Sequence, residues 1–226
     1  TNETNISGFL NMLTAARDAQ VSSFTYAASS STYGDHPALP KVEENIGKPL
    51  SPYAVTKYVN ELYADVFART YGFKSIGLRY FNVYGAGEFF KEKTASTVLQ
   101  FGHQILSGNA PKLFEGSDRI LRDFVYIKDV VRANILACTA KSNGVYNVGT
   151  ATPRSFQDIA DILQQQLGTH LATEYIPNPY TGYQMHTQAD LSLSQSELGY
   201  TPQWTLEAGI ADYLPEIKSC FAQKVA

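Results

Sequence analysis

From residue 4 to residue 84 the chain alternates twice between a helical period and a short apolar run, and this constrains the fold more than any other feature. Residues 4–19 (TNISGFLNMLTAARDA) place Ile6, Phe9, Leu10, Leu13 and Ala16 on one helical face. Residues 22–28 (SSFTYAA) follow as a short buried strand, which runs out into the hydroxyl-rich Ser29-Ser30-Ser31-Thr32-Tyr33-Gly34. Residues 35–50 hold three prolines and read as a surface loop. Ser51 then offers an N-cap, with Pro52 at the first helical position. The helix that follows carries Val55, Val59, Leu62 and Val66 on one stripe and stops at Gly72. A second strand is expected over residues 75–84 (SIGLRYFNVY), ending in Gly85-Ala86-Gly87. Helix, strand, helix, strand implies right-handed crossovers in a parallel sheet, where chemistry gathers at the carboxyl ends of the strands. Ser29–Ser31 and Asn82 fall at such ends, and Tyr53 opens the helix between them.

Tyr53 and Lys57 stand four residues apart and so share one helical face. A phenol ionises near pH ~10, and an ammonium group close by favours the phenolate, which suits a general base. Taken alone, the spacing equally describes an ordinary surface pair. Beyond residue 87 the sequence predicts helices over 95–106, 128–140 and 155–167 and near 206–213. Strands are expected at 112–116, 122–127 and 145–148, and an extended proline-bound segment at 175–180.

The 226 residues are 44% hydrophobic and 17% charged, as in a soluble globular protein. A net charge of −3, with 18 scattered Lys and Arg, gives no basic field for nucleic acid. Cys138 and Cys220 lack a partner pattern, so no disulfide framework or zinc site is expected and a reducing cytosol fits best. No apolar run reaches ~18 residues and no signal peptide is visible, which argues against a membrane and places the chain in the cytoplasm. His36, His103 and His170 lack the mutual spacing of a metal site.

Ser29, Tyr53 and Lys57, followed by Arg79-Tyr-Phe-Asn-Val-Tyr-Gly85 and Arg122-Asp-Phe-Val-Tyr-Ile-x-Asp129, resemble the extended short-chain dehydrogenase/reductase family of nucleotide-sugar epimerases and dehydratases. The resemblance implies an α/β fold: the C-terminal part of a Rossmann-like, doubly wound parallel sheet, plus a smaller α/β lobe for the nucleotide sugar. Residues 1–87 would be the partial Rossmann-like domain; residues 88–226 would be mainly the lobe, with some segments returning to the sheet. Residues 26–75 look like UDP-N-acetylglucosamine or UDP-glucose 4-epimerases. From Glu88 onward, EFFKEKTASTVLQ, KLFEGSDRILRDFVYIKDVVRAN, GVYNVGT, YIPNPY and HTQAD look like ADP-glycero-manno-heptose 6-epimerases. Because the later part builds the substrate lobe, the heptose substrate is preferred.

The resemblance also assigns roles. Tyr53 would be the general base, and Lys57 would hold the nicotinamide ribose. Ser29, 24 residues before Tyr53, would hydrogen-bond the reacting oxygen, supported by Ser30 and Ser31. Lys91 matches a second acid/base group serving the opposite face of the sugar. Tyr80 and Asn82 are expected beside the cofactor. Asn82, Arg122, Tyr33 and His186 are expected around the nucleotide-diphosphate sugar. The cofactor is NADP or NAD, undecided because the residue that reads the ribose 2′ position lies in a part not represented. The family's opening strand, Gly-x-x-Gly-x-x-Gly loop and helix have no counterpart, and Gly85-Ala86-Gly87 is too short and too late. The chain, beginning at Thr1, is therefore expected to be a fragment, or else a non-catalytic remnant that binds dinucleotide poorly. Either form would expose a sheet edge that favours a homo-oligomer.

Overall fold

A computed structural model describes residues 1–179 and 184–225. The first helical segment forms in two parts, a π-helical turn at Glu3–Gly8 and α1 at Phe9–Asp18. Strand β1 is Phe24–Ser29, and a 3-10 turn at Ser30–Tyr33 follows it directly. Helix α2, Pro52–Tyr71, starts as its sequence demands: the Ser51 side chain accepts from the Ala54 N–H, and Gly72 ends it in the left-handed conformation.

The second strand divides. Ser75–Tyr80 is β2, and Asn82–Tyr84 is β3, which belongs to another sheet. The break comes at Phe81, whose N–H donates to Val148 O before the chain turns away. After a 3-10 turn at Phe89–Thr94 come α3 (Thr97–Leu106), β4 (Lys112–Phe114), β5 (Leu121–Tyr126) and α4 (Ile127–Cys138). They are followed by β6 (Gly144–Val148), β7 (Pro153–Ser155) and α5 (Phe156–Leu167), the last begun by a Ser155/Asp158 capping box. The chain closes with β8 (Glu174–Ile176), α6 (Ser192–Leu198) and α7 (Leu206–Val225). Helix α7 extends well past the expected residue 213, and Pro215 lies within it. Tyr180, the end of the expected extended segment, lies outside the described residues.

Three parallel strands in the order β1-β2-β6 form the principal sheet. Strand β3 pairs parallel with β5, which pairs antiparallel with β7, and β4 pairs parallel with β8. One core lies between the principal sheet and α4, around Ile76, Leu78, Val130, Tyr146 and Val148. A second gathers α3, α5 and α7 around Leu99, Ile159, Leu163 and Ile210. Each fully buried aliphatic side chain contributes about 1.5–3 kcal/mol of transfer free energy.

Two sequence expectations fail here. The Val55/Leu62/Val66 stripe of α2 is not the buried face, since these residues are 47%, 48% and 44% exposed. The inward face is instead Ala54, Asn60, Glu61, Ala64 and Phe67, where the burial of Glu61 is offset by a bidentate ion pair with buried Arg79 at 2.9 and 2.7 Å. Apolar periodicity misassigned the face because the buried one includes three polar residues, Thr56, Asn60 and Glu61. Nor is residues 35–50 merely a surface loop. Lys41 and Glu43 are buried, Lys41 pairs with the chain at Ala189, and Glu43 accepts from the Asn147 N–H at 2.8 Å.

Candidate functional site

The register of the principal sheet aligns Ser29 with Tyr80 and Tyr80 with Val148, so the carboxyl ends of all three strands are level. At that end Ser29 caps the following 3-10 turn: its hydroxyl accepts from the Ser31 N–H and lies 2.9 Å from Ser31 Oγ. Helix α2 brings Lys57 to the same strand, where Nζ donates to Ala27 O at 2.9 Å, two residues before Ser29. Lys57 Nζ is also 5.9 Å from the centroid of the half-exposed Tyr53 ring. Burial lowers the Lys57 pKa from its ordinary value. An ammonium with three donors, one of them given to a carbonyl, keeps two for a ligand. The first turn of α2 is pinned from below by Thr56, whose hydroxyl donates to Tyr53 O and accepts from Asn5 Nδ2 in the π-helical turn.

A second group surrounds Arg122 on β5. Arg122 is buried, and its guanidinium donates to Leu121 O and Gln184 O. The two acids best placed in sequence to neutralise it are committed elsewhere. Asp123 accepts from the N–H groups of Thr150, Ala151 and Ala189, and Asp129 accepts from those of Gln203 and Trp204. His186 lies beside the same strand, bridged to Leu121. Burial, then the charges of Arg122 and Lys41, lower the His186 pKa, and its buried Nε2 has no hydrogen-bond partner among the described residues.

Other expected residues stand differently. Tyr33 is fully buried under the turn and its hydroxyl donates to Asn147 Oδ1 at 2.6 Å, so it braces the turn rather than reaching a ligand. Tyr80 faces α4, where its hydroxyl donates to Asn134 Oδ1 at 3.0 Å, a packing contact. Ser30 opens the 3-10 turn beside Ser31, and Asn82 is exposed at the start of β3. Lys91 is exposed on the 3-10 turn at Phe89–Thr94, next to Glu92, whose φ of 48° and ψ of −116° lie outside the usual regions for a side-chain-bearing residue. That turn is anchored by buried Glu88, whose carboxylate accepts from Ser96 N, Ser96 Oγ and Gly85 N.

Glu88, Gln184 and Asn5 went unnoticed in the sequence. Only Glu88 carried a local signal, a carboxylate beside a glycine-rich turn. A cavity of about 720 Å³ opens beside the turn that holds Lys91, lined by Phe89, Phe90, Leu99 and His103, while none of Ser29, Tyr53 or Lys57 lines it.

The glycines after β3 do not cradle a phosphate. Gly85 N–H donates to Glu88 and Gly87 N–H to Glu216 at 2.8 Å, so carboxylates occupy the donors an anion would need. Among the described residues, the N–H donors of Gly85 and Gly87 are taken by carboxylates and form no pyrophosphate cradle, while Lys57 keeps ammonium donors at the end of β1.

The sequence profile of the NAD dependent epimerase/dehydratase family matches residues 1–149. The chain belongs to that family. It is 40% identical to ADP-L-glycero-D-manno-heptose-6-epimerase of Helicobacter pylori, with a TM-score of 0.84 over 95% of this chain and 65% of that one. UDP-glucose 4-epimerase of Thermotoga maritima, solved with UDP-glucose, is 32% identical with a TM-score of 0.89 over 99% of this chain and 71% of that one. UDP-glucose 4-epimerase of Thermus thermophilus, solved with NAD, is 29% identical with a TM-score of 0.84 over 96% of this chain and 70% of that one. The family member thus spans about two thirds of the length of these relatives and shares their Rossmann-like α/β fold. No helix among the described residues is long and apolar enough to cross a membrane.

Proposed function

We propose that the chain carries the acid/base and substrate-anchoring part of a nucleotide-sugar epimerase whose substrate is an ADP-linked heptose. The observation that carries the proposal is the meeting of α2 with the end of β1, where Lys57 Nζ is bonded to Ala27 O and the Ser29–Ser31 hydroxyl pair follows directly. The heptose is favoured over a UDP-hexose by the higher identity to the heptose epimerase, 40% against 32%.

In this account Tyr53, exposed beside a lysine ammonium, accepts the proton of the sugar hydroxyl. Lys57 stabilises the phenolate and holds the cofactor ribose with its two remaining N–H donors. Ser29, oriented by Ser31, donates to the oxygen that gains carbonyl character. Bound NAD or NADP supplies the hydride acceptor and donor. Arg122 holds the diphosphate, with Asn82 and His186 at the rim, and Lys91 exchanges a proton on the opposite face of the sugar. The division between a sheet portion to residue 87 and a substrate lobe beyond it belongs to the same proposal. So does the expectation that turnover requires dinucleotide-binding strands additional to residues 1–226.

The proposal extends to self-association. Val55, Val59, Leu62 and Val66 repeat at 4-3-4 spacing along α2, with Val55, Leu62 and Val66 exposed and Val59 half-buried, a seam that suits a second copy of the same helix. Titration calorimetry tests the substrate class. ADP is expected to bind the chain at least about tenfold more tightly than UDP, a difference of ~1.4 kcal/mol, and Arg122→Ala to abolish binding. Preferential binding of UDP would replace the heptose by a UDP-hexose.

A further inference from the structure

Gln184 ties together the two groups of candidate site residues. Its side-chain amide donates to Gly34 O at 2.6 Å, across 150 residues of sequence, and its backbone carbonyl accepts from the Arg122 guanidinium. Gly34 ends the 3-10 turn that begins at Ser29. On its far side the turn is tied to residues 47 and 48. Asp35 N–H donates to Lys48 O, Lys48 N–H donates to Asp35 Oδ1, and Gly47 N–H donates to Tyr33 O. Gly34 also has a φ of 54°, and a Cβ placed there would lie 1.9 Å from Lys48 O, so the backbone passes too close for any other residue. Lys48 stands three residues before the Ser51 cap of α2. Beside Gln184, Leu121 N–H donates to Met185 O and Thr187 N–H to Leu121 O, so its backbone is laid along β5.

We propose that Gln184 is a positioning residue that sets the distance between the anion-anchoring guanidinium of Arg122 and the Ser29–Ser31 hydroxyls. This rests on the nucleotide-sugar function proposed above. A rigid link between anchor and reacting groups matters because a misplacement on the order of 1 Å can cost ~100-fold in rate without weakening binding. The two bonds of Gln184 are separable. The contact with Arg122 uses the backbone and survives substitution, whereas the contact with Gly34 is lost when the side chain cannot donate. Gln184→Met keeps the length and removes the donor; Gln184→Lys restores a donor on a stem one bond longer.

Hydrogen–deuterium exchange with added ADP reads the link without requiring turnover. In the wild type, ADP is expected to slow exchange both at residues 121–123 and at residues 30–36. In Gln184→Met only the first segment should respond, and Gln184→Lys should restore the second. In the active holoenzyme, Gln184→Met is expected to lower kcat about tenfold with KM changed less than about twofold, consistent with lost orientation rather than lost binding. Equal protection of both segments in wild type and Gln184→Met would overturn the link alone. Absence of ADP protection in the wild type would instead overturn the nucleotide-sugar function, and the link with it.

Discussion

At the scale of single residues, the structure separates charges left with donors to spare from charges wholly taken up by neighbours. Lys57 gives one N–H to Ala27 O and remains able to bind, whereas Arg79 is wholly consumed by Glu61 and the Glu43 carbonyl. His186 belongs to neither class, because it is placed among cations. Its pKa is lowered by burial and by Arg122 and Lys41, so the folded chain binds its proton less readily than the unfolded chain does. Stability must then rise with pH through the interval between the lowered value and about 6.5, and fall as pH drops through it. Thermal unfolding of wild type and His186→Gln over about pH 5 to 7 checks the sign. The wild type should lose stability relative to the variant as pH falls, and a constant difference would refute the cationic surroundings.

At the scale of elements, the sequence made visible those parts whose cause is local. Ser51, Pro52 and Gly72 bracket α2 as capping chemistry requires, and Ser155 starts α5 in the same way. The Ser29–Ser31 turn was legible because a strand of apolar residues gives way abruptly to hydroxyls. What was not legible depends on partners distant in the chain. The division of residues 75–84 at Phe81 is set by a bond to Val148, and the inward face of α2 is set by the demand of Arg79 for Glu61. The short β7 strand and helix α6 also lacked a periodic pattern long enough to read, while β8 was read only as an extended segment. Because Glu61 and Arg79 are 6% and 3% exposed, removing one leaves a buried charge unpaired. Glu61→Ala is expected to cost about 3–5 kcal/mol in chemical denaturation. A loss below about 1 kcal/mol would show that the pair is solvated and energetically weak.

At the scale of the whole molecule, β1 is an outer strand of the principal sheet among the described residues, and the neighbouring helix α2 turns an apolar seam outward. A seam of exposed Val55, Leu62 and Val66, with half-buried Val59 between them, invites a partner of the same pattern. Leu62→Glu, which leaves the inward face of α2 untouched, is expected to shift light-scattering mass from an oligomer to a monomer. An unchanged oligomer would move the contact to a surface other than this seam.

The central claim is that Ser29, Tyr53, Lys57 and Lys91 serve epimerisation of an ADP-linked heptose. It is tested most directly by proton NMR of turnover, with the chain completed at its N-terminus by dinucleotide-binding strands and supplied with NAD or NADP. The account predicts interconversion of the two C6 epimers of ADP-glycero-manno-heptose and no turnover of UDP-N-acetylglucosamine. It also predicts a loss of about 100-fold or more for both Tyr53→Phe and Lys91→Ala. Turnover of the UDP sugar alone, with Lys91→Ala fully active, would contradict it.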